Sequence, residues 1–322
     1  MRISQRYGTT SKALTNNKYS LDRWQIVNDN ASSKFTTQQV TEAPVGFHNS
    51  LKMTSSSAYT PASNEVFGVG QKIEGLNTNW LEFGSVNAKS ITISFYVRSS
   101  LTGTFGGSVL NSDMTRGYPY TYTISSADTW ERKTVTVAGA TDGTWLNNNN
   151  VGIRVHWSMG ANANRSGTAG QWSTSQYTFH PTGATNVVST NGATLQITGC
   201  QVEIGSFATD FEHRSFGQEL ALCQRYFYMH ASGAEASSNN RAPIATGAMF
   251  NSPNWNGVVN FPVKMRTSPS LYKVQGTGYF IIYGDGGNDE ANSASLDSSS
   301  PQAGTVNLSG GLAQTSGTSH WG

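Results

Sequence analysis

Cysteine is nearly absent: the chain of 322 residues has two, Cys200 and Cys223. A disulfide scaffold of this length would need more, and thiol metal sites show paired spacings such as C-x-x-C. Both are expected as buried free thiols, since free cysteine packs like a small hydrophobe; a bridge between them is the alternative. Charge is scarce too, at 12% of residues, where an ordinary soluble domain has about 25%. With 21 Lys and Arg against 19 Asp and Glu, the net charge is +2, which gives no electrostatic case for nucleic acid or an acidic membrane surface. No apolar run approaches the roughly 18 residues of a membrane span. Met1-Arg2-Ile3-Ser4-Gln5-Arg6 lacks the apolar stretch of a signal peptide, so the expectation is a protein made in a cytoplasm and not inserted in a membrane. No G-x-S-x-G elbow, H-E-x-x-H pair or Walker A loop occurs, and these chemistries get no support.

What is abundant is glycine, at 34 residues, together with Ser, Thr and Asn. Between these polar stretches the apolar pattern has a period of two. Ile91, Ile93, Phe95 and Val97 share one face of a strand, with Thr92, Ser94, Tyr96 and Arg98 on the other. Val151, Ile153, Val155 and Trp157 alternate with Gly152, Arg154 and His156, and Tyr118, Tyr120, Tyr122 and Ile124 fall together. Such alternation marks half-buried antiparallel strands. Many short strands joined by Gly- and Asn-rich loops predict an all-β jelly-roll sandwich. Leu195 and Ile197 disagree in parity with Val202 and Ile204, and one extra residue at Gly199 would restore the count, predicting a β-bulge there. Gly68-Val69-Gly70-Gln71-Lys72-Ile73-Glu74-Gly75 places its third glycine too late for a dinucleotide fingerprint and is expected in a strand or turn.

One stretch is helical. Ser215-Phe216-Gly217-Gln218 fits the S-x-x-Q capping box, and Leu220, Cys223 and Phe227 follow at helical spacing, predicting a helix from Phe216 to Arg225. Alternation resumes at Val259, Phe261, Val263 and Met265, at Tyr279, Ile281 and Tyr283, and at Val306 and Leu308. The predicted organisation is an N-terminal arm over 1–20, a sandwich over 21–214, a connecting helix over 215–226 and a smaller β domain over 227–322. The arm, polar and aperiodic, is expected to stay unordered until a partner holds it.

Candidate chemistry is thin. The histidines, His48, His156, His180, His213, His230 and His320, form no i, i+4 pair and are expected as surface or internally satisfied residues. Glu65, Glu74, Glu82 and Asp128 could in principle supply a glycosidase pair, but nothing in their spacing sets two face to face. Asp285-Gly286-Gly287-Asn288-Asp289-Glu290 is the densest acidic segment; it lacks the EF-hand ligand order and is expected as a solvated loop. No cofactor or metal is expected. The aromatic residues are the best lead. Trp145 and Trp172 lie in polar, Gly- and Asn-rich surroundings, and with Tyr118, Tyr120 and Asn147 they form the candidate ligand-binding set for sugar. Trp157, alternating with core valines, is expected to be buried. The same aromatic residues could instead line subunit interfaces, where Trp is also enriched.

Several segments resemble carbohydrate-binding-like jelly-roll domains of tailed-phage virion proteins. They are Tyr19-Ser20-Leu21-Asp22-Arg23-Trp24, Ala88 to Ser99, Ala127-Asp128-Thr129-Trp130-Glu131-Arg132, and Ala193 to Gly205 with Phe211-Glu212-His213-Arg214 and Leu220 to Tyr226. Phe261 to Ser270 is similar to the β domain that follows in such fibre proteins. The resemblance implies a virion surface protein, a tail fibre, tailspike, or head fibre or decoration, commonly trimeric. Many related modules carry a structural Ca²⁺ bound through an Asp of the last strand; here Ile197-Thr198-Gly199-Cys200 offers no acid, and the resemblance brings no catalytic residue.

The lead reading is therefore a non-enzymatic structural protein of a phage virion. Its partners would be other virion proteins and two further copies of itself in a homotrimer, with host surface glycans on its jelly roll. The basic residues Arg2, Arg6, Lys12 and Lys18 would dock the arm on the particle. The alternatives are an architectural capsid decoration without sugar binding, a polysaccharide-degrading tailspike, and an accessory sugar-binding module of a cellular enzyme.

Overall fold

The computed structural model describes residues 1–231, 242–251, 253–284, 287–313 and 319–321. Two compact units result, Met1–Glu219 and Leu220–Gly322, so the division falls five residues beyond Arg214, inside the helix.

The first unit is a two-sheet antiparallel sandwich. In chain order its strands are β1 (Lys12–Ala13), β2 (Trp24–Asn28), β3 (Phe35–Val40), β4 (Ser50–Ser55), β5 (Val66–Glu74), β6 (Ile91–Ser99), β7 (Gly103–Leu110), β8 (Gly117–Ile124), β9 (Glu131–Val137), β10 (Val151–Ala161), β11 (Ser166–Gly167), β12 (His180–Pro181) and β13 (Thr194–Ile204). One sheet runs β1-β3-β4-β13-β6-β9, the other β2-β5-β10-β7-β8, and β11 pairs with β12. The inward faces are the ones the alternation marks. Ile91, Ile93, Phe95 and Val97 are wholly buried, facing Ile153, Val155, Trp157 and the Tyr118, Tyr120, Tyr122, Ile124 row of β8. Trp157 meets Trp24 at 5.3 Å and Phe95 at 5.6 Å between ring centres. A buried aromatic of this kind stabilises the fold by about 3 kcal/mol through area removed from water.

The parity break in β13 is a bulge. Thr198 pairs with Tyr96 and Gln201 with Ser94, so β13 spends one residue more than β6. Gly199 takes φ +57°, and a Cβ there would lie 2.7 Å from the Phe47 ring. The left-handed backbone and the close ring both require glycine. Gly68 and Gly70 lie within β5, in a strand as their spacing suggested.

The first twenty residues depart from the expected arm, because they are part of the sandwich. Ile3 is 6% exposed, and β1 pairs with β3. The buried Asp22 carboxylate accepts the Gln5 backbone N–H at 2.6 Å and the Gln5 amide at 3.0 Å. Arg6 lies 4.0 Å from the same carboxylate, and Arg2 donates to the Arg214 carbonyl. An aperiodic polar sequence hides this because its hold comes from one buried acid and backbone pairing, not from an apolar stripe.

Helix α1 spans Phe216–Gln224. Its box is reciprocal: Ser215 N–H donates to Gln218 Oε1 at 3.0 Å, and Gln218 N–H to Ser215 Oγ at 3.3 Å. Among the described residues no helix is long and apolar enough to cross a membrane. Both cysteines are free thiols, Cys223 buried and Cys200 partly so.

The second unit holds β14 (Thr246–Asn251), β15 (Asn254–Asn260), β16 (Phe280–Gly284), β17 (Gly287–Ala291), β18 (Ser293–Ser299), β19 (Ala303–Ser309) and β20 (Ser319–Trp321). They form one sheet in the order β17-β16-β20-β14-β15-β19-β18. Trp255, Ile282, Ala291 and Leu308 are its most buried side chains among the described residues. The strand expected through Met265 stops at Asn260. Phe261 still donates its N–H to the Gln302 carbonyl, but Pro262 has no N–H to continue a ladder. In β16 the buried residue is Ile282, with Tyr279 and Tyr283 on the exposed side. Asp285 and Gly286 of the acidic segment lie outside the described residues; Gly287 to Glu290 belong to β17, and Asp289 accepts the Ala313 N–H at 2.6 Å.

Candidate functional site

The structure brings Trp145, Trp172 and Tyr118 together, joined by Phe83. Ring centres are 5.4 Å apart for Trp145–Trp172, 5.3 Å for Tyr118–Trp172 and 4.8 Å for Phe83–Trp145, all edge to face. Each indole N–H is already engaged: Trp145 donates to the Asp142 carbonyl at 2.9 Å and Trp172 to the Ala138 carbonyl at 2.8 Å. Both tryptophans are half-buried and pack against the sandwich core. Edge-to-face packing spends ring faces on neighbouring rings, whereas a sugar platform needs a face open to solvent. Tyr120 stands apart: it is 1% exposed and donates its hydroxyl to the His156 carbonyl at 2.8 Å inside the core. Asn147 is exposed on the loop beyond Trp145.

The acids are not gathered. Glu65 and Glu74 flank the two ends of β5, about 30 Å apart at 3.3 Å per residue. Glu65 accepts from Asn30, Tyr59 and the Ala62 N–H, Glu82 pairs with Lys89 at 2.8 Å, and Asp128 lies 3.4 Å from Arg98. Among the described residues no three His, Cys, Asp or Glu side chains form a group that could hold a metal ion.

A groove of about 360 Å³ opens elsewhere, on the outer face of the five-stranded sheet. That volume lies within the range of small-ligand sites. The alternation that sends Ile153, Val155 and Trp157 inward sends Arg154 and His156 outward. Register then sets Arg154 beside Lys72, and His156 beside Gly70, which pairs in turn with Gln25. These side chains make the floor. The segment from Arg165 to Pro181 folds over part of this face and forms one wall, through Arg165, Tyr177 and Phe179. Asn16, Asn17 and Asp29, which bracket β2, form the other.

The walls are fixed by backbone as well as by side chains. Among the described residues seven non-glycine residues have positive φ, and three of them, Asn17 (+64°), Met114 (+61°) and Tyr177 (+61°), line this groove. Asparagine tolerates that region, but for a methionine or a tyrosine it is costly, and such strain collects at functional sites. The strained pair lock each other, with Tyr177 N–H donating to the Met114 carbonyl at 2.9 Å. Asn16 donates its amide to Asp29 at 2.9 Å, and Gln25 donates to Asn17 Oδ1 at 3.3 Å.

The electrostatics are unusual for so uncharged a chain. Burial lifts the Asp29 carboxyl above the usual range, opposed chiefly by Arg165. Burial lowers Arg154, whose Nε and one terminal nitrogen donate to the Ser112 carbonyl at 3.2 and 2.9 Å. His156 is 1% exposed and stacks edge-on to Phe179 at 5.2 Å. Burial holds its pKa at about 3, so it is neutral. Its Nδ1 lies 3.4 Å from the Phe179 carbonyl, leaving Nε2 buried without a partner over Gly68. Next along β10, Ser158 meets His180 Nδ1 at 2.8 Å while His180 Nε2 lies 3.4 Å from the Ala184 carbonyl. A carbonyl can only accept, so Nε2 carries the proton and Ser158 donates to Nδ1.

Arg165, Tyr177, Met114 and Asn17 carry no motif. The signal for Arg154 and His156 was present, as the polar half of an alternating strand whose other half is core.

The described residues define an all-β protein whose first unit is a two-sheet antiparallel jelly-roll sandwich, followed by a short helix and a smaller β unit. No family model matches the chain, and no curated protein matches it in sequence. Among solved structures it is similar to the enzymatically active domain of tailspike protein 4 of bacteriophage CBA120, with 9% identity and a TM-score of 0.34 over 60% of this chain and 21% of that one. It is also similar to a putative sugar binding protein from Bacteroides thetaiotaomicron, with 13% identity and a TM-score of 0.36 over 63% and 99% of the two chains. A family 11 carbohydrate-binding module from Clostridium thermocellum matches with 11% identity and a TM-score of 0.32 over 63% and 98%. The match thus spans about a fifth of the tailspike. These likenesses are distant and concern architecture alone.

Proposed function

We propose that this chain is a non-enzymatic glycan-binding protein displayed on the surface of a tailed-phage virion, as a fibre or decoration, and that the groove over β2, β5 and β10 is its glycan site. The groove itself carries the reading. Asn17 Nδ2 and Gln25 Oε1, the amide atoms left over from the Asn16–Asp29 and Gln25–Asn17 bonds, offer one donor and one acceptor for vicinal hydroxyls, while Val27 and Met114 offer apolar contact for sugar C–H faces. Strained Met114 and Tyr177 hold the site open before ligand arrives, so little ordering cost remains on binding. The virion half is supported by the sequence resemblance and by a low-charge, glycine-rich, all-β chain, which suits a particle protein stabilised by assembly into a homotrimer.

Calorimetry of the full chain with oligosaccharides from host envelope polysaccharide tests the first half. Wild-type protein binds and Tyr177→Ala and Gln25→Ala weaken binding at least tenfold; equal binding by all three overturns the groove assignment. Release of reducing ends from the polysaccharide overturns the non-enzymatic part. Immunogold labelling of purified particles tests the second half, with label on the particle surface expected and unlabelled particles overturning it. Light scattering of the purified chain is expected to give three times its own mass.

A further inference from the structure

We infer that the groove takes an acidic saccharide, a sugar carrying a ring carboxylate, held by the guanidinium groups of Arg154 and Arg165. The inference rests on the reading of this groove as a glycan site and adds the class of sugar.

Three cations, Lys72, Arg154 and Arg165, line the groove against a single carboxylate, Asp29. Both arginines are set as anion receivers. Arg154 is half-buried, its Nε and one terminal nitrogen donate to one neutral acceptor, the Ser112 carbonyl, and among the described residues no carboxylate is paired with it. Two acidic groups act on it, first Tyr19 and then Asp113; Asp113 does so from beyond ion-pair distance and accepts from Thr115 instead. A desolvated guanidinium without a counter-ion is a standing cost that a carboxylate would relieve, in two parallel charge-assisted hydrogen bonds. Arg165 has its Nε on the Asn64 carbonyl at 2.8 Å and its plane laid over Tyr177 at 4.6 Å. The ring fixes the guanidinium plane, a geometry that suits contact with a planar anion. Asp29, already accepting from Asn16, offsets part of the Arg165 charge, yet among the described residues it forms an ion pair with neither arginine.

The test is calorimetry of the full chain at low ionic strength with trisaccharides of galacturonate, glucuronate and mannuronate, their methyl esters, a sulfated galactan tetrasaccharide and a neutral glucan trisaccharide. At least one uronate is expected to bind, its methyl ester at least tenfold more weakly. Arg154→Gln and Arg165→Gln are each expected to bring acid and ester to within twofold, the acid losing at least tenfold and the ester less than the acid. Equal binding of acid and ester by wild type, both weakened by Tyr177→Ala, overturns the acidic inference and leaves the glycan reading standing. Preference for the sulfated sugar over every uronate overturns the carboxylate assignment. Binding of none of the probes, with circular dichroism melts unchanged, overturns the inference and the glycan reading together.

Discussion

The Arg165 guanidinium carbon lies 4.6 Å over the ring centre of Tyr177, whose backbone is held at φ +61°. The strain and the stacking are coupled, because relaxing the backbone would carry the ring off the arginine. Tyr177→Gly and Tyr177→Ala separate the two effects. Both remove the ring, and only alanine keeps the left-handed penalty. The glycine variant should be more stable than the alanine variant by about 0.5 to 1 kcal/mol after glycine's larger unfolded-state entropy is counted, read as the difference in urea midpoints. Glycan affinity should fall equally in both. An alanine variant as stable as the glycine one would show that the backbone at this position is not strained.

Acid should weaken the sandwich through its two buried histidines. His156 titrates at about 3 and His180 at about 4 in the folded chain, both lowered mainly by burial from the usual 6.5. The unfolded chain takes up protons that the folded chain refuses, so this contribution is complete above about pH 6.5 and is lost as pH falls toward 4 and 3. Each histidine contributes a slope of about 1.4 kcal/mol per pH unit in that window. Asp22 and Asp29, raised by burial, act in the opposite sense near pH 4, so a difference measurement is required. Between pH 6.5 and 4.5, His180→Gln should show a shallower loss of urea-unfolding free energy than wild type. Parallel curves would place the His180 ring in contact with solvent.

Gly199 should resist substitution for two separable reasons. Gly199→Ala adds a Cβ at φ +57° and 2.7 Å from Phe47, for a combined loss of about 1 to 3 kcal/mol. Phe47 also packs on Tyr96 and Phe211 at 5.2 and 5.0 Å, so moving the ring disturbs a surface cluster. In a Phe47→Ala background the closest clash disappears, leaving the Tyr96 ring at 3.1 Å, and Gly199→Ala should then show mainly the backbone part, about 1 kcal/mol. An unchanged penalty in the double mutant would assign the whole effect to the backbone.

Strands were legible wherever burial is one-sided. The Tyr118 to Ile124 row, the Ile91 to Val97 row and the bulge at Gly199 follow from parity alone, because a one-residue slip would turn every apolar side chain outward. The capping box of α1 was legible because both partners lie within four residues. The arm was not, since Ile3 and Gln5 are held by Asp22 across a gap of sequence that no period spans. The groove was half legible. Arg154 and His156 stand on the polar face of a strand with a buried face opposite, but Asn17, Met114 and Tyr177 reach it through turns whose positive φ no local pattern announces. The packing of the tryptophans was not legible for a physical reason: a polar neighbourhood in sequence records the loop that carries a ring, not what the ring packs against.

Trp145 and Trp172 give the sharpest contrast between packing and recognition. Both rings meet others edge to face, both indole N–H groups are bonded to carbonyls, and both lean on the core. Trp172→Ala should therefore cost about 2 to 3 kcal/mol of stability, somewhat less than a fully buried tryptophan, and should also weaken Trp145 by removing its neighbour. The double variant should consequently lose less than the sum of the single losses, since each ring is part of the other's packing. Glycan affinity of the folded fraction should stay within twofold of wild type, because the groove over β10 is built from other residues. A variant that keeps its melting temperature and loses its glycan would move the site from the groove to these two rings.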